Sequence, residues 1–401
     1  MADSNDIGAQ ETFRLEGVWL PGGAQPADVV VASGRIAAIE PAFGKSRGVV
    51  LPVMADVHVH LDKTYTIERT NGSIHGLFDA IELMARDKRY WTAEDIRARA
   101  SRALEAAYRN GVHAMRSHVD WNEPSVPVAW PVLNELREEW RGRVELQLSS
   151  LCPADLLPDA ATAIAERVRE DGGVFGAFFY RNADLAAKVD FAFRAAVDNG
   201  LSLDFHVDEG LDVEADGFSE IVTAALRYGM AGQVVCGHAC SLSLRDDDTL
   251  ARTFGAAAEA GVSLTALPTT NLYLQDRVGG RSPRHRGIAP IKEARAAGMT
   301  VMLGVDNCRD AFYPYGDYDP LAVLRLAAVA AHLEPAEWLD AITDLPAACC
   351  GAPARRIAVG EVADFIWFDA SDLSDLVSRP AAARTVFRAG RPIVQPSRSP
   401  L

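Results

Sequence analysis

VMADVHVHLDKTYT, residues 53–66, ends an apolar run with two imidazoles, His58 and His60, separated by one valine. Alternate side chains on a strand share a face. A strand over residues 53–61 therefore sends both rings the same way. Two polar rings on one face of an otherwise buried strand call for a common partner, and the rest of the chain supplies candidates.

Downstream of this strand one pattern recurs. An amphipathic helix stops at a glycine, and a short apolar strand follows. Helical periodicity covers residues 93–110, 129–141, 159–170, 184–199, 217–231, 246–260 and 288–297, with stops at Gly111, Gly142, Gly172, Gly200, Gly232, Gly261 and Gly298. A glycine just past a helix accepts the left-handed conformation that closes it. Counting the strand at residue 53, strands are expected to start near 53, 113, 145, 174, 201, 234, 262 and 300. Strands alternating with helices at this spacing run parallel, and eight such units predict a closed (β/α)8 barrel. An open doubly wound sheet would place a Gly-rich phosphate loop after its first strand; that position holds His-Val-His-Leu-Asp-Lys.

The two ends of the chain have another texture. Residues 12–51 and 357–393 are short alternating runs broken by Gly and Pro, which read as β-hairpins. Neither holds a useful core alone. The expected organisation is an α/β protein: a small β-sandwich domain built from both termini (residues 1–52 and 351–401) and a barrel over residues 53–350.

In a parallel barrel the chemistry lies at the C-terminal ends of the strands. His58 and His60 end the first strand, His118 and Asp120 the second, His206, Asp208 and Glu209 the fifth, His238 the sixth, and Asp306 and Asn307 the eighth. A lone strand histidine is more often a hydrogen-bonded core residue than a ligand, but five of the nine histidines converge on one barrel mouth. His58, His60 and His206 with Asp306 suit a divalent metal with an open position for water. Such a metal lowers the pKa of water toward neutrality. His118 and Asp120 are expected to orient a ligand ring. Glu209 can carry protons, His238 can hold the attacking oxygen, and Asp306 can take a proton from it. His75, His113, His285 and His332 read as structural or surface residues.

Composition sets the boundaries. The net charge of −15 disfavours nucleic acid and anionic membranes as partners. The six scattered cysteines, with no CxxC pair, read as reduced thiols. No window approaches the roughly 18 uninterrupted apolar residues of a membrane span, and MADSNDIGAQE at the N-terminus has no apolar signal core. A cytoplasmic location is expected.

The ordered motifs LPVMADVHVHLDKTYT, HVDEG, CGHACSL, NLYLQDR, GMTVMLGVDN and IAVGEVADFIWFD resemble the amidohydrolase superfamily, and within it the cytosine deaminase group. The likeness covers nearly the whole chain. It implies one zinc or iron ion held by His58, His60, His206 and Asp306, Glu209 as proton shuttle, His238 aligned with the attacking oxygen, and a homo-oligomer. Relatives with two bridged metals use a lysine on the fourth strand, and VFGAFFYRN has none. The recognition set departs from the group. Pro153 stands where the cytosine enzymes carry a glutamine, Asn307 where they carry a second acid, Phe312 where they carry a tryptophan, and Lys63 where they carry a small polar residue. With Leu77, these are the expected substrate-binding residues. Proline has no side-chain donor or acceptor, so cytosine itself is disfavoured.

The expected activity is hydrolytic deamination of a small nitrogen heterocycle, a modified pyrimidine or aminotriazine, with loss of ammonia or an alkylamine. The HLDK variant also resembles the group's N-alkylamino-triazine hydrolases. The alternative is hydrolysis of a cyclic or acyl amide, with Lys63 or Arg181 meeting a substrate carboxylate. A non-enzymatic relative would be expected to lose Glu209, His238 or Asp306, and all three are present.

Overall fold

The computed structural model describes residues 12–70 and 76–393. His75 and the N-terminal segment of residues 1–11 lie outside the described residues. The chain divides into two compact units. One comprises Met54–Tyr108 and Val112–Ala352; the other comprises the residues up to Val53, Arg109–Gly111 and those from Pro353 on.

The larger unit holds eight strands: Met54–Val59, Val112–Asp120, Glu145–Pro153, Ala177–Phe179, Leu203–Val207, Val234–His238, Ser263–Ala266 and Val301–Leu303. They are hydrogen-bonded in sequence order, each parallel to the next. A parallel bridge between Val59 and Asp306 closes the barrel, and the Asp306 amide donates to the His58 carbonyl at 2.8 Å. Closure therefore happens at two of the expected ligands.

The helices between strands end as the glycines require. At Gly200 (φ 63°) the amides of Gly200 and Leu201 reach back to Val197 and Ala196, the left-handed closure of a helix end. One boundary differs. The helix after the fifth strand ends at Tyr228, and Gly229 (φ 65°), not Gly232, caps it. The fourth strand is also shorter than expected: its ladder is Ala177–Phe179, with single bridges at Val174 and Phe175. Gly176 explains the interruption. A Cβ there would lie 2.3 Å from the Asp204 carbonyl oxygen and 2.4 Å from that of Ser150, so two neighbouring backbones crowd that point.

Near the strand starts Ala55, Val57, Ala114, Val235 and Met302 pack with Ala347, Cys350 and Ala352 in a buried apolar cluster. Above it the interior turns polar. Asp56, directly before the histidine pair, accepts from the His58 amide (3.0 Å) and the Val305 amide (3.0 Å), tying the first strand to the last. Arg116 holds Asp204 at 2.5 Å.

In the smaller unit, strands from both termini form one seven-stranded sheet. Gly48–Pro52 pairs with Phe365–Phe368 and joins the two ends. Val29, Val31, Ile36, Val50 and Phe365 form its core. Among the described residues no cysteine is in a disulfide, and no helix is long and apolar enough to cross a membrane.

Candidate metal centre and active site

The strand-end histidines meet. His58 Nε2 lies 3.0 Å from His206 Nε2, which lies 3.2 Å from His60 Nε2. Asp306 Oδ1 is 3.1 Å from His60 Nε2 and 3.6 Å from His58 Nε2. Asp306 is fully buried, and its carboxylate faces the same point as the three imidazole nitrogens. Burial, reinforced by the neighbouring rings, pushes His58 and His206 well below the ordinary histidine pKa. Both shifts favour the unprotonated ring, whose lone pairs can bind a cation. Burial opposes ionisation of Asp306, but His60 and His238 outweigh it and hold its carboxyl below the usual range. Imidazole nitrogens grouped around a carboxylate are the donor set of a divalent metal, and the residues fit one.

Two overlapping sets have the spacing of metal ligands: His58, His60 and Asp306, and His58, His118 and His206. His118 thus stands inside the cluster, its ring centroid 4.1 Å from that of His58, closer than its expected orienting role requires. Asp120 touches no ligand ring. It accepts from Lys63 (2.6 Å) and Lys88 (2.9 Å), and Lys63 Nζ lies 3.1 Å from His60 Nδ1.

Glu209 reaches the site through a local kink. The fifth strand stops at Val207, and Asp208 has a left-handed φ of 48°, a costly conformation for a residue with a side chain. Its carboxylate accepts from the amides of Gly217 (3.1 Å) and Phe218 (2.9 Å), anchoring the start of the next helix. The chain turns there, and Glu209 lines the same cavity as His206. Burial, then the Asp306 charge, raises the Glu209 carboxyl well above its ordinary pKa. His238 (φ 68°) and Asp306 (φ 65°) are left-handed too. Three of the residues that build this site therefore adopt backbone that only tertiary contacts hold in place.

One cavity is lined by His60, His206, Glu209, His238 and Asp306 and by all five expected substrate-binding residues, Lys63, Leu77, Pro153, Asn307 and Phe312. His58 lies beneath it, fully buried. Lys63 sits 5.8 Å from the Phe312 ring centroid. Burial opposes its charge, but Asp120 and Asp62 outweigh that and keep its pKa above the usual lysine value. Asn307 donates to Asp310 at 2.8 Å, and Asp310 also accepts from the Phe312 amide. Arg99, buried on the helix Ala93–Arg109, donates to the carbonyls of Asp62 (2.7 Å) and Thr64 (2.8 Å), fixing the loop that carries Lys63. His285 and His332 are exposed, and His113 is buried in the second strand.

Four residues at the site escaped the sequence reading in whole or part: Asp56, His118 as a member of the cluster, Asn271 and Gln275. Asp56 had a signal, since it alternates with His58 and His60 on one strand. Asn271 and Gln275 had one too, since both belong to the motif NLYLQDR, but neither is titratable and the motif alone assigns them no contact.

A model of the amidohydrolase family matches residues 145–394. A pterin deaminase of Rhizobium rhizogenes (strain K84 / ATCC BAA-868) is 40% identical over 390 residues, covering 92% of this chain and 88% of that one. Two solved structures share the fold at 24% identity. The 5-methylcytosine deaminase from Klebsiella pneumoniae liganded with phosphonocytosine has a TM-score of 0.84, covering 97% of this chain and 100% of that one. The N-isopropylammelide isopropylaminohydrolase from Burkholderia multivorans has a TM-score of 0.77, covering 95% and 97%. The histidine pair that opened the sequence, the barrel that closes on it and these matches agree: the chain belongs to the amidohydrolase family.

Proposed function

We propose that this protein is a metal-dependent aminohydrolase that replaces the exocyclic amino group of a fused, pterin-type heterocycle with oxygen and releases ammonia. The observation that carries the pterin class is the 40% identity to a pterin deaminase, sustained over 92% of this chain. The cavity supports it. A pterin bears its amino group on a carbon between two ring nitrogens, the amidine-like carbon this donor set is suited to attack. Leu77, Met84, Phe178 and Phe312 offer apolar walls to a flat ring.

His58, His60, His206 and Asp306 would hold one divalent metal, zinc or iron. When bound, it supplies the polarisation that makes water nucleophilic near neutral pH. Side chains do the rest. One proton of the incoming water reaches the ring nitrogen beside the attacked carbon by way of Glu209, whose carboxyl burial raises well above its ordinary pKa. The second passes to Asp306 and on to the exocyclic nitrogen. The carbon–nitrogen bond then breaks, ammonia leaves, and a carbonyl forms. His238 holds the attacking oxygen by a hydrogen bond. Lys63 and Asn307 supply polar contacts to the ring.

Amide hydrolysis is less well supported. Of its two candidate carboxylate partners, Arg181 is committed to Asp212 (2.6 Å) and Glu214 (2.5 Å) at the surface, and Lys63, which lines the cavity, is paired with Asp120 (2.6 Å). The test is ammonia release by zinc- and iron-loaded protein from pterins, aminopyrimidines and aminotriazines. Pterins are expected to be the preferred substrates. Release from single rings alone would overturn the pterin assignment, and silence across the panel would move the search to amide and alkylamine bonds.

A further inference from the structure

Between the seventh and eighth strands the helix Pro268–Leu274 carries Asn271, and Gln275 follows at its end. The two are four residues apart and so share a face. Both are buried, and neither lines the cavity. Each instead holds a residue that does. Gln275 Nε2 donates to the Glu209 carbonyl. Asn271 Nδ2 lies 3.0 Å from His238 Nδ1.

An amide NH₂ can only donate. Glu209 Oε1 also faces Nδ1, but at 3.6 Å it lies beyond hydrogen-bond reach; with the amide group at 3.0 Å, the ring nitrogen accepts and the imidazole proton resides on Nε2. His238 Nε2 is buried and has no protein partner, although the residue lines the cavity. A buried donor held there is suited to an oxygen that gains charge during reaction.

The geometry points to Asn271 as the positioning residue that sets the tautomer of His238, so that Nε2–H faces the oxygen of the tetrahedral intermediate. This rests on the role given to His238 in the proposed deamination. The carboxamide turned the other way would put the proton on Nδ1 and leave a lone pair toward the cavity, with no donor for that oxygen.

The experiment is ¹⁵N NMR of the full-length, zinc-loaded protein with labelled histidines, His238 being identified by the signals lost in His238→Gln. Wild type is expected to show a protonated Nε2 and a bare Nδ1. Asn271→Asp, the same shape with acceptors only, is expected to move the proton to Nδ1. It should lower kcat roughly 10²-fold, the loss typical of one aimed donor, with a much smaller change in KM. Asn271→Leu, of similar size with neither donor nor acceptor, is expected to give mixed tautomers and an intermediate kcat. It keeps the test open if the aspartate variant fails to fold. A wild-type ring protonated on Nδ1, or variants that leave the His238 signals unchanged, would overturn the assignment. The spectrum is read without turnover, so this result stands apart from any failure to find the substrate.

Discussion

The two ends of the barrel strands obey different rules. Near their starts, Ala55, Val57, Ala114, Val235 and Met302 pack against Ala347 and Cys350 with no charge among them. At their C-terminal ends the barrel strands deliver five clustered imidazoles, a fully buried carboxylate, and left-handed backbone at Asp208, His238 and Asp306. One end removes apolar surface from water and is expected to stabilise the fold. The other concentrates buried polar groups and strained backbone, which cost stability unless something binds them. Chemistry and stability are separated along a few residues of strand, so substitutions at the two ends should give opposite phenotypes.

The largest effect is expected from His58→Ala. Loss of this fully buried ring should remove both metal and activity, and elemental analysis beside the deamination assay would check it. Retention of stoichiometric metal would show that His118 belongs to the ligand set in its place. Glu209→Gln sharpens the contrast within the active end. It should lower kcat by roughly 10³-fold, within the span of lost general acid–base catalysis, while metal content stays at the wild-type level. An active Glu209→Gln enzyme would remove the carboxyl from the proton path.

Met302→Ala probes the other end. Truncating a buried methionine costs about 2–5 kcal/mol, read as a shift of the urea midpoint, and kcat per folded molecule should not change. Loss of kcat there would break the division. The smallest expected stability change is that of Asp208→Ala, about 1 kcal/mol by analogy with lost helix caps. This variant crosses the division, because the same carboxylate anchors a helix and turns Glu209 into the cavity. Its kcat should fall by more than its stability loss explains.

Much of this was legible from residue order. The glycine after each helix and the apolar run that follows are local signals, governed by backbone conformation and periodicity, so all eight strands stood near their expected places. The misplaced cap at Gly229 and the broken fourth strand were not local. Gly229 and Gly232 could both take a left-handed conformation, and only packing chose between them. Gly176 interrupts its strand because Ser150 and Asp204 approach from two other strands.

The site divides in the same way. Strand alternation places His58 and His60 on one face, and the rule that a parallel barrel works at its strand ends gathers His206, His238 and Asp306 beside them. Those follow from sequence because each depends on its own strand. His118 joining the cluster, Asp208 turning the chain so that Glu209 enters the cavity, Asp56 tying the first strand to the last, and Asn271 seated against His238 depend on contacts between segments far apart in the chain. Sequence alone determined which chemical groups arrive at the barrel mouth. Only the tertiary structure decided how they are aimed, because orientation at a strand end is set by what packs against it.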